Sequence, residues 1–182
     1  VDTEGKLQGL RSRMEERTLE GEPLKHWYEE GANVVHDATG KDLDRSQKLL
    51  QLGALYSPQR RVPANVNDMV GAYNQAMAGD GIKDFGFFHN NMSKRADAVM
   101  YKGEDFPGRK TNNFYTDHLQ YLAPGSKEAG KHTVDIWDMR SGEYASPNGD
   151  VYKGSPTPAQ YDFMEKEGLR LTDKINRERG TN

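Results

Sequence analysis

Apolar positions along this chain recur at intervals of three and four residues far more often than they alternate, the spacing of one face of an α-helix rather than of a strand. Leu7, Leu10 and Met14 mark a first helix over residues 5–20, set among charges. Gly21-Glu22-Pro23 ends it. Pro23 also suits the first turn of a second helix carrying Trp27, Tyr28, Ala32, Val35 and Ala38, with Gly40 as its C-cap. Asp44 is expected to cap a third helix whose apolar side is Leu49, Leu50, Leu52 and Leu55, running up to Ser57-Pro58. Pro63 opens a fourth, with Val66, Met69, Val70, Tyr73 and Met77 on one stripe and Gly79-Asp80-Gly81 as the closing turn.

Beyond this point the pattern is broken by glycine and proline. Residues 82–92, with Ile82, Phe85, Phe87 and Phe88, read as a buried turn. Helical spacing returns over residues 93–101, and a loop over 103–108 leads to a helix bearing Phe114, Tyr115, His118, Leu119 and Leu122. Residues 124–131 form a loop and 134–139 a short helix. An irregular insertion over 141–156, with a hairpin over 144–152 as one reading, precedes a last helix capped by Thr157-Pro158. Tyr161, Met164, Leu171 and Ile175 are its inward face. Two-residue alternation is nearly absent, so the class is mostly α.

Composition narrows the functions available. The apolar share of 34% describes a polar globular chain, and no apolar run approaches the roughly 18–20 residues that a membrane helix needs. There is no basic-then-apolar leader pattern. The cysteine count is 0, which excludes disulfides, thiolate metal sites and a cysteine nucleophile, and fits a reducing, cytoplasmic setting. Net charge is -3, but residues 55–112 carry 8 basic and 6 acidic side chains, while the stretches on either side are net negative. That middle holds Arg60-Arg61, Lys94-Arg95 and Arg109-Lys110, a local patch able to meet phosphates. Ordinary solvated surface charge is the plainer reading of each pair. The chain starts at Val1 rather than at a methionine and stops straight after a helix pattern, which is expected of a piece of a longer protein or of a processed one.

Three segments, in order, carry a resemblance. They are Leu55-Tyr56-Ser57-Pro58-Gln59 followed by Asn67; Gly108-Arg109-Lys110-Thr111 with Asn113; and Val134-Asp135 with Arg140. Together they resemble the helix-hairpin-helix DNA glycosylase superfamily, the endonuclease III-like group. They also resemble uncharacterised phage proteins with a similar lysine–asparagine–phenylalanine and valine–aspartate pattern. The likeness spans roughly residues 27 to 140. It implies a single helical domain of helix-hairpin-helix glycosylase type over 22–182, preceded by an N-terminal helix over 1–21. It further implies a Schiff-base lysine at Lys110 and a catalytic aspartate at Asp135. Gln59 would enter the duplex at a flipped base, and Arg60, Arg61, Gly108, Arg109 and Arg140 would hold DNA. No metal and no cofactor are implied. The pattern departs from the family in keeping one hairpin glycine before Arg109, in a longer interval from Lys110 to Asp135, in Trp137 where the family has histidine, and in lacking the four-cysteine loop.

The chemistry so implied is an N-glycosylase, with abasic-site lyase activity available to the same lysine. An amine attacks a sugar carbon only when neutral, and both Arg109 and a helix start would favour that form of Lys110. Asp135 would stabilise positive charge growing on the sugar. Beside this stands a bland reading: Lys110 as a solvated helix-start residue, Asp135 as the N-cap of its helix, Gln59 as a surface turn. A non-catalytic relative is the second function class, a structural or DNA-associated component such as a phage virion part, with DNA and other virion or complex subunits as partners. Its setting would be the interior of a phage particle. The five histidines show no metal-ligand spacing; a site from His118, His132 and Asp135 is imaginable, but scattered surface histidines are expected.

Overall fold

The computed structural model describes residues 3–21, 26–58, 60–79, 81–82, 90–103, 108–126, 131–134, 139–140 and 154–180. Seven α-helices account for most of them, with no strand among the described residues: α1 (Thr3–Glu20), α2 (Trp27–Ala38), α3 (Leu43–Tyr56), α4 (Val62–Ala78), α5 (Asn90–Asp97), α6 (Arg109–Leu122) and α7 (Pro158–Arg179). A π-helical turn, Ala98–Lys102, follows α5. The mostly-α class read from the spacing is therefore observed. The buried turn over 82–92, the short helix over 134–139 and the insertion over 141–156 fall largely outside the described residues, though Ile82 is buried.

The chain forms two compact units. One joins Val1–His26 to Lys131–Asn182, and the other is Trp27–Gly130. The helix at residues 1–21 thus keeps company with the last helix of the chain. In that first unit, Arg11 of α1 donates from Nε and Nη2 to Glu167 of α7 at 2.9 and 2.7 Å. Lys174 donates to Glu15 at 2.6 Å. Met14 packs beside a small cluster of Val134, Met139, Tyr161 and Met164. The Val134 amide donates to the Tyr161 hydroxyl at 3.1 Å. His132 lies so close to Gly168 that an added Cβ would meet its ring at 2.7 Å, so α7 needs a residue without a side chain there. Thr157 and Gln160 close a reciprocal capping box at the start of α7, where the sequence places a cap.

The second unit has a larger apolar core, centred on Leu52, Ala54, Leu55 and Tyr56 of α3 and reached by Val35, Met69, Ala72, Tyr115 and Leu119. Its corners follow local rules. Helix α2 ends in paired bonds, Lys41 N–H to the His36 carbonyl at 2.8 Å and Gly40 N–H to Asp37 at 3.1 Å, with Gly40 at φ 69°. This is the left-handed exit that glycine adopts most cheaply. The cap of α3 is Asp42, which accepts from the Arg45 amide at 3.1 Å. Asp44, expected in that role, sits two residues further on, within the first turn, and pairs with Lys48 at 2.8 Å. Only the residue at the cap has the extended backbone that aims its side chain at the free amides of the first turn, so the Asp44 side chain turns to the surface instead.

Helix α4 also corrects its expected stripe. Met69 is buried and Tyr73 partly so, but Val66, Val70 and Met77 are 41%, 40% and 58% exposed. The inward arc has rotated toward Asp68, Ala72 and Ala76, because small side chains let α4 lie close on α3. Its C-terminal end is fastened by the Tyr101 hydroxyl, which donates to the Ala76 carbonyl at 2.7 Å.

Candidate functional site

Helix α6 carries the lysine singled out by the sequence. Gly108 is its N-cap, at φ 111°, a backbone setting that glycine tolerates and other residues rarely adopt. No side chain caps the helix from that position, and no acidic residue stands in its first turn. Gly108, Arg109 and Lys110 are all exposed. The expected placement of Lys110 at a helix start behind a glycine turn is thus what the backbone shows.

The other residues of the expected site are dispersed. Gln59 and Asp135 lie outside the described residues. Arg60 donates from Nε to Asp68 at 2.7 Å. That hydrogen bond raises the pKa of the guanidinium above its ordinary value, with the charge of Asp68 adding to it against partial burial. Asp68 is 5% exposed, so the pair also serves to neutralise a carboxylate inside the α3–α4 corner. Arg61 is exposed at the N-cap of α4. Arg140 is half-buried and belongs to the first unit, whereas Arg60, Arg61, Gly108, Arg109 and Lys110 belong to the second.

The unexpected part of α6 is its buried polar side. Asn113, Thr116, Asp117 and His118 are 1%, 0%, 7% and 6% exposed. His118 corrects the expectation of surface histidines. Its ring is surrounded by Trp27 at 5.5 Å, Tyr28 at 4.8 Å and Phe114 at 4.9 Å between ring centroids. Nδ1 lies 2.9 Å from the Phe114 carbonyl, which can only accept, so Nδ1 carries the proton. Burial lowers the histidine pKa and the carbonyl bond only partly restores it. Gly31 makes room: a Cβ there would stand 3.2 Å from Nε2. Nearby, burial and the charges of Glu29 and Asp117 raise the pKa of Tyr121. Polar residues at helical spacing ordinarily signal a solvent face; the one sequence sign to the contrary is that aromatic residues and leucines alternate with them.

Two other polar groupings are structural. His36 Nδ1 is 2.9 Å from Ser46 Oγ, but that hydroxyl is fully buried and donates to the Asp42 carbonyl at 2.6 Å. It is no nucleophile. Glu167 is bracketed by Arg11 and by Arg170 at 2.7 Å, and these bonds, Arg11 first, hold its pKa down to about 2. No group of three or more carboxylates and histidines suited to a metal occurs among the described residues, and no described helix is long and apolar enough to cross a membrane. No protein-family model matches the chain, and comparison with curated proteins and with solved structures gives no match.

Proposed function

We propose that the chain is a DNA-associated helical protein that holds backbone phosphates at the start of α6, as a non-catalytic component of a larger assembly. The observation that carries this reading is the exposed run Gly108-Arg109-Lys110, with its glycine backbone and no carboxylate in the first helical turn. Two cations beside an open backbone suit phosphate oxygens, whatever the base sequence. The three-segment resemblance to helix-hairpin-helix glycosylases supports DNA as the partner. Each phosphate neutralised releases counterions, so affinity falls with salt at a slope of about 0.9 per contact. Replacing Arg109 and Lys110 together by alanine is expected to lower that slope by about 2 in duplex titrations. Wild-type binding that ignores salt, or is absent, sinks the reading.

A second reading is favoured by one observation, the exposed position of Lys110 in the first turn of α6. Its amine, once deprotonated, would add to the open-chain aldehyde of an abasic site. Loss of water would give an imine, and borohydride would reduce the imine to a stable secondary amine. A trapped adduct in the wild type that disappears in Lys110→Ala would replace the non-catalytic reading by a lyase.

A further inference from the structure

We propose that the α2–α6 face around Trp27 is a stacking surface for an unpaired nucleobase, so that this protein takes single-stranded DNA in preference to duplex. This rests on the DNA reading above and names the form of DNA. Trp27 is a large aromatic side chain left 41% exposed at the start of α2. Three rings hold it: Tyr28 at 4.9 Å and 83°, His118 at 5.5 Å and 62°, and Phe114 at 5.9 Å and 57°. None of these rings is parallel to the indole. They grip it at an edge or a tilt, and flat stacking on it is taken by none of them.

The indole is also held ready. Phe114 and His118 are one turn apart on α6 and are tied together by the Nδ1 bond to the Phe114 carbonyl. Gly31 lets α2 close onto that ring. An aromatic platform fixed before binding loses little side-chain freedom when a base settles on it. Every base has a π face, so stacking of this kind is tolerant of sequence, and it demands a base that is out of the duplex.

Charge then points to nucleic acid. Lys110 is four residues before Phe114, hence on the same face of α6 and about 6 Å away along the axis, toward the helix start. Arg109 adjoins it, and both are exposed. A base on Trp27 would place its flanking phosphates toward these cations. Glu29 and Glu30 lie in the first turn of α2, so a bound backbone is expected to run from Trp27 toward α6 rather than along α2. Stacked base and cation-held phosphate are the two contacts by which single strands are bound without sequence preference.

The test is an anisotropy titration of a short fluorescein-labelled oligothymidylate and of a matched duplex. Wild type should bind the single strand about tenfold more tightly than the duplex, and Trp27→Leu should remove that advantage and leave duplex binding in place. Trp27→Phe should fall between them. Arg109→Ala with Lys110→Ala should weaken both ligands. A second readout is independent of any Trp27 variant. In a Trp137→Phe background, oligothymidylate should quench the remaining indole. Equal single-strand affinity for Trp27→Leu and wild type, or an unquenched indole, overturns the stacking surface and leaves the DNA reading standing. Quenching by an arginine-rich peptide instead of oligothymidylate overturns it too, in favour of a cationic protein ligand. A wild type that binds neither DNA form fails at the earlier step.

Discussion

In the unit formed by Trp27–Gly130, helices meet through leucine, alanine, methionine and tyrosine, and Leu52, Ala54 and Tyr56 are wholly out of solvent. In the unit formed by the chain ends, α1 and α7 meet through Arg11 with Glu167 and Glu15 with Lys174, Arg170 bracing Glu167 from within α7, and a small cluster gathers about Met139 and Met164. Helix α1 has few apolar residues to bury, so charge pairing fixes its partner where packing cannot. Apolar burial is non-directional and summed over area, while a bracketed carboxylate acts at one point and depends on protonation. The same fold therefore contains one unit held mainly by apolar packing and one whose helices are joined largely by ion pairs.

The sharpest way to break this contrast is a cavity. Leu52→Ala removes three buried carbons from the centre of α3 and should cost about 3 kcal/mol, measured by urea unfolding followed by circular dichroism. Glu167→Gln in the other unit keeps the volume and removes the charge shared by two guanidiniums. Its expected cost is about 2 kcal/mol, reduced because Arg11 and Arg170 remain 30% and 41% exposed. If Glu167→Gln costs more than Leu52→Ala, the ranking of the two forces is wrong.

Acid separates the units by a different route. Glu167 has a folded-state pKa lowered from 4.5 to about 2, so its stabilisation is complete above pH 4.5 and is lost as pH falls toward 2. His118 is buried neutral, with a pKa lowered from 6.5 by desolvation. The folded state disfavours its proton, so its contribution is complete above pH 6.5 and is lost below that value, before Glu167 responds. The causes of its shift are burial and the Phe114 carbonyl, with the rings of Trp27 and Tyr28 of α2 and Phe114 of α6 around it. Thermal melts from pH 7 to 5 should fall for wild type and fall less for His118→Gln. Melts from pH 4.5 to 2.5 should fall less for Glu167→Gln. Identical slopes in the first window would show that the aromatic enclosure of His118 does not exclude a proton.

What the sequence reveals of this molecule follows the same division. Helices α3, α4 and α7 are legible because leucine spacing, Pro63, Gly79 and Thr157-Pro158 are local signals that need no partner. The pairing of Arg11 with Glu167 crosses 156 positions, and nothing local distinguishes it from a dozen other surface charges. Asp42 and Asp44 both suit a cap by type, and only backbone geometry chooses between them. On α6 the glycine turn and Lys110 are readable, whereas Asn113, Thr116, Asp117 and His118 read as a wet face until α2 and α3 are packed on them. Of the candidate site, the glycine-led, cationic start of α6 was legible. The aromatic platform was not, because Trp27 and Phe114 are 87 positions apart.

The smallest expected effect bears on the same contrast. Lys48 and Asp44 form an ion pair at 2.8 Å on the surface of α3, with Asp44 72% exposed. It matches the Glu167 bracket in length, and differs from it in burial. Water screens such a pair, and ordering two flexible side chains offsets most of the attraction. Lys48→Gln should therefore shift the unfolding free energy by about 0.3 kcal/mol, and that shift should vanish in 0.5 M salt, where screening acts over only a few ångströms. Glu167→Gln should retain most of its larger cost in the same salt. A Lys48→Gln effect as large as that of Glu167→Gln would mean that distance, rather than removal from water, sets the strength of ion pairs in this protein, and the charge-built character of the first unit would lose its explanation.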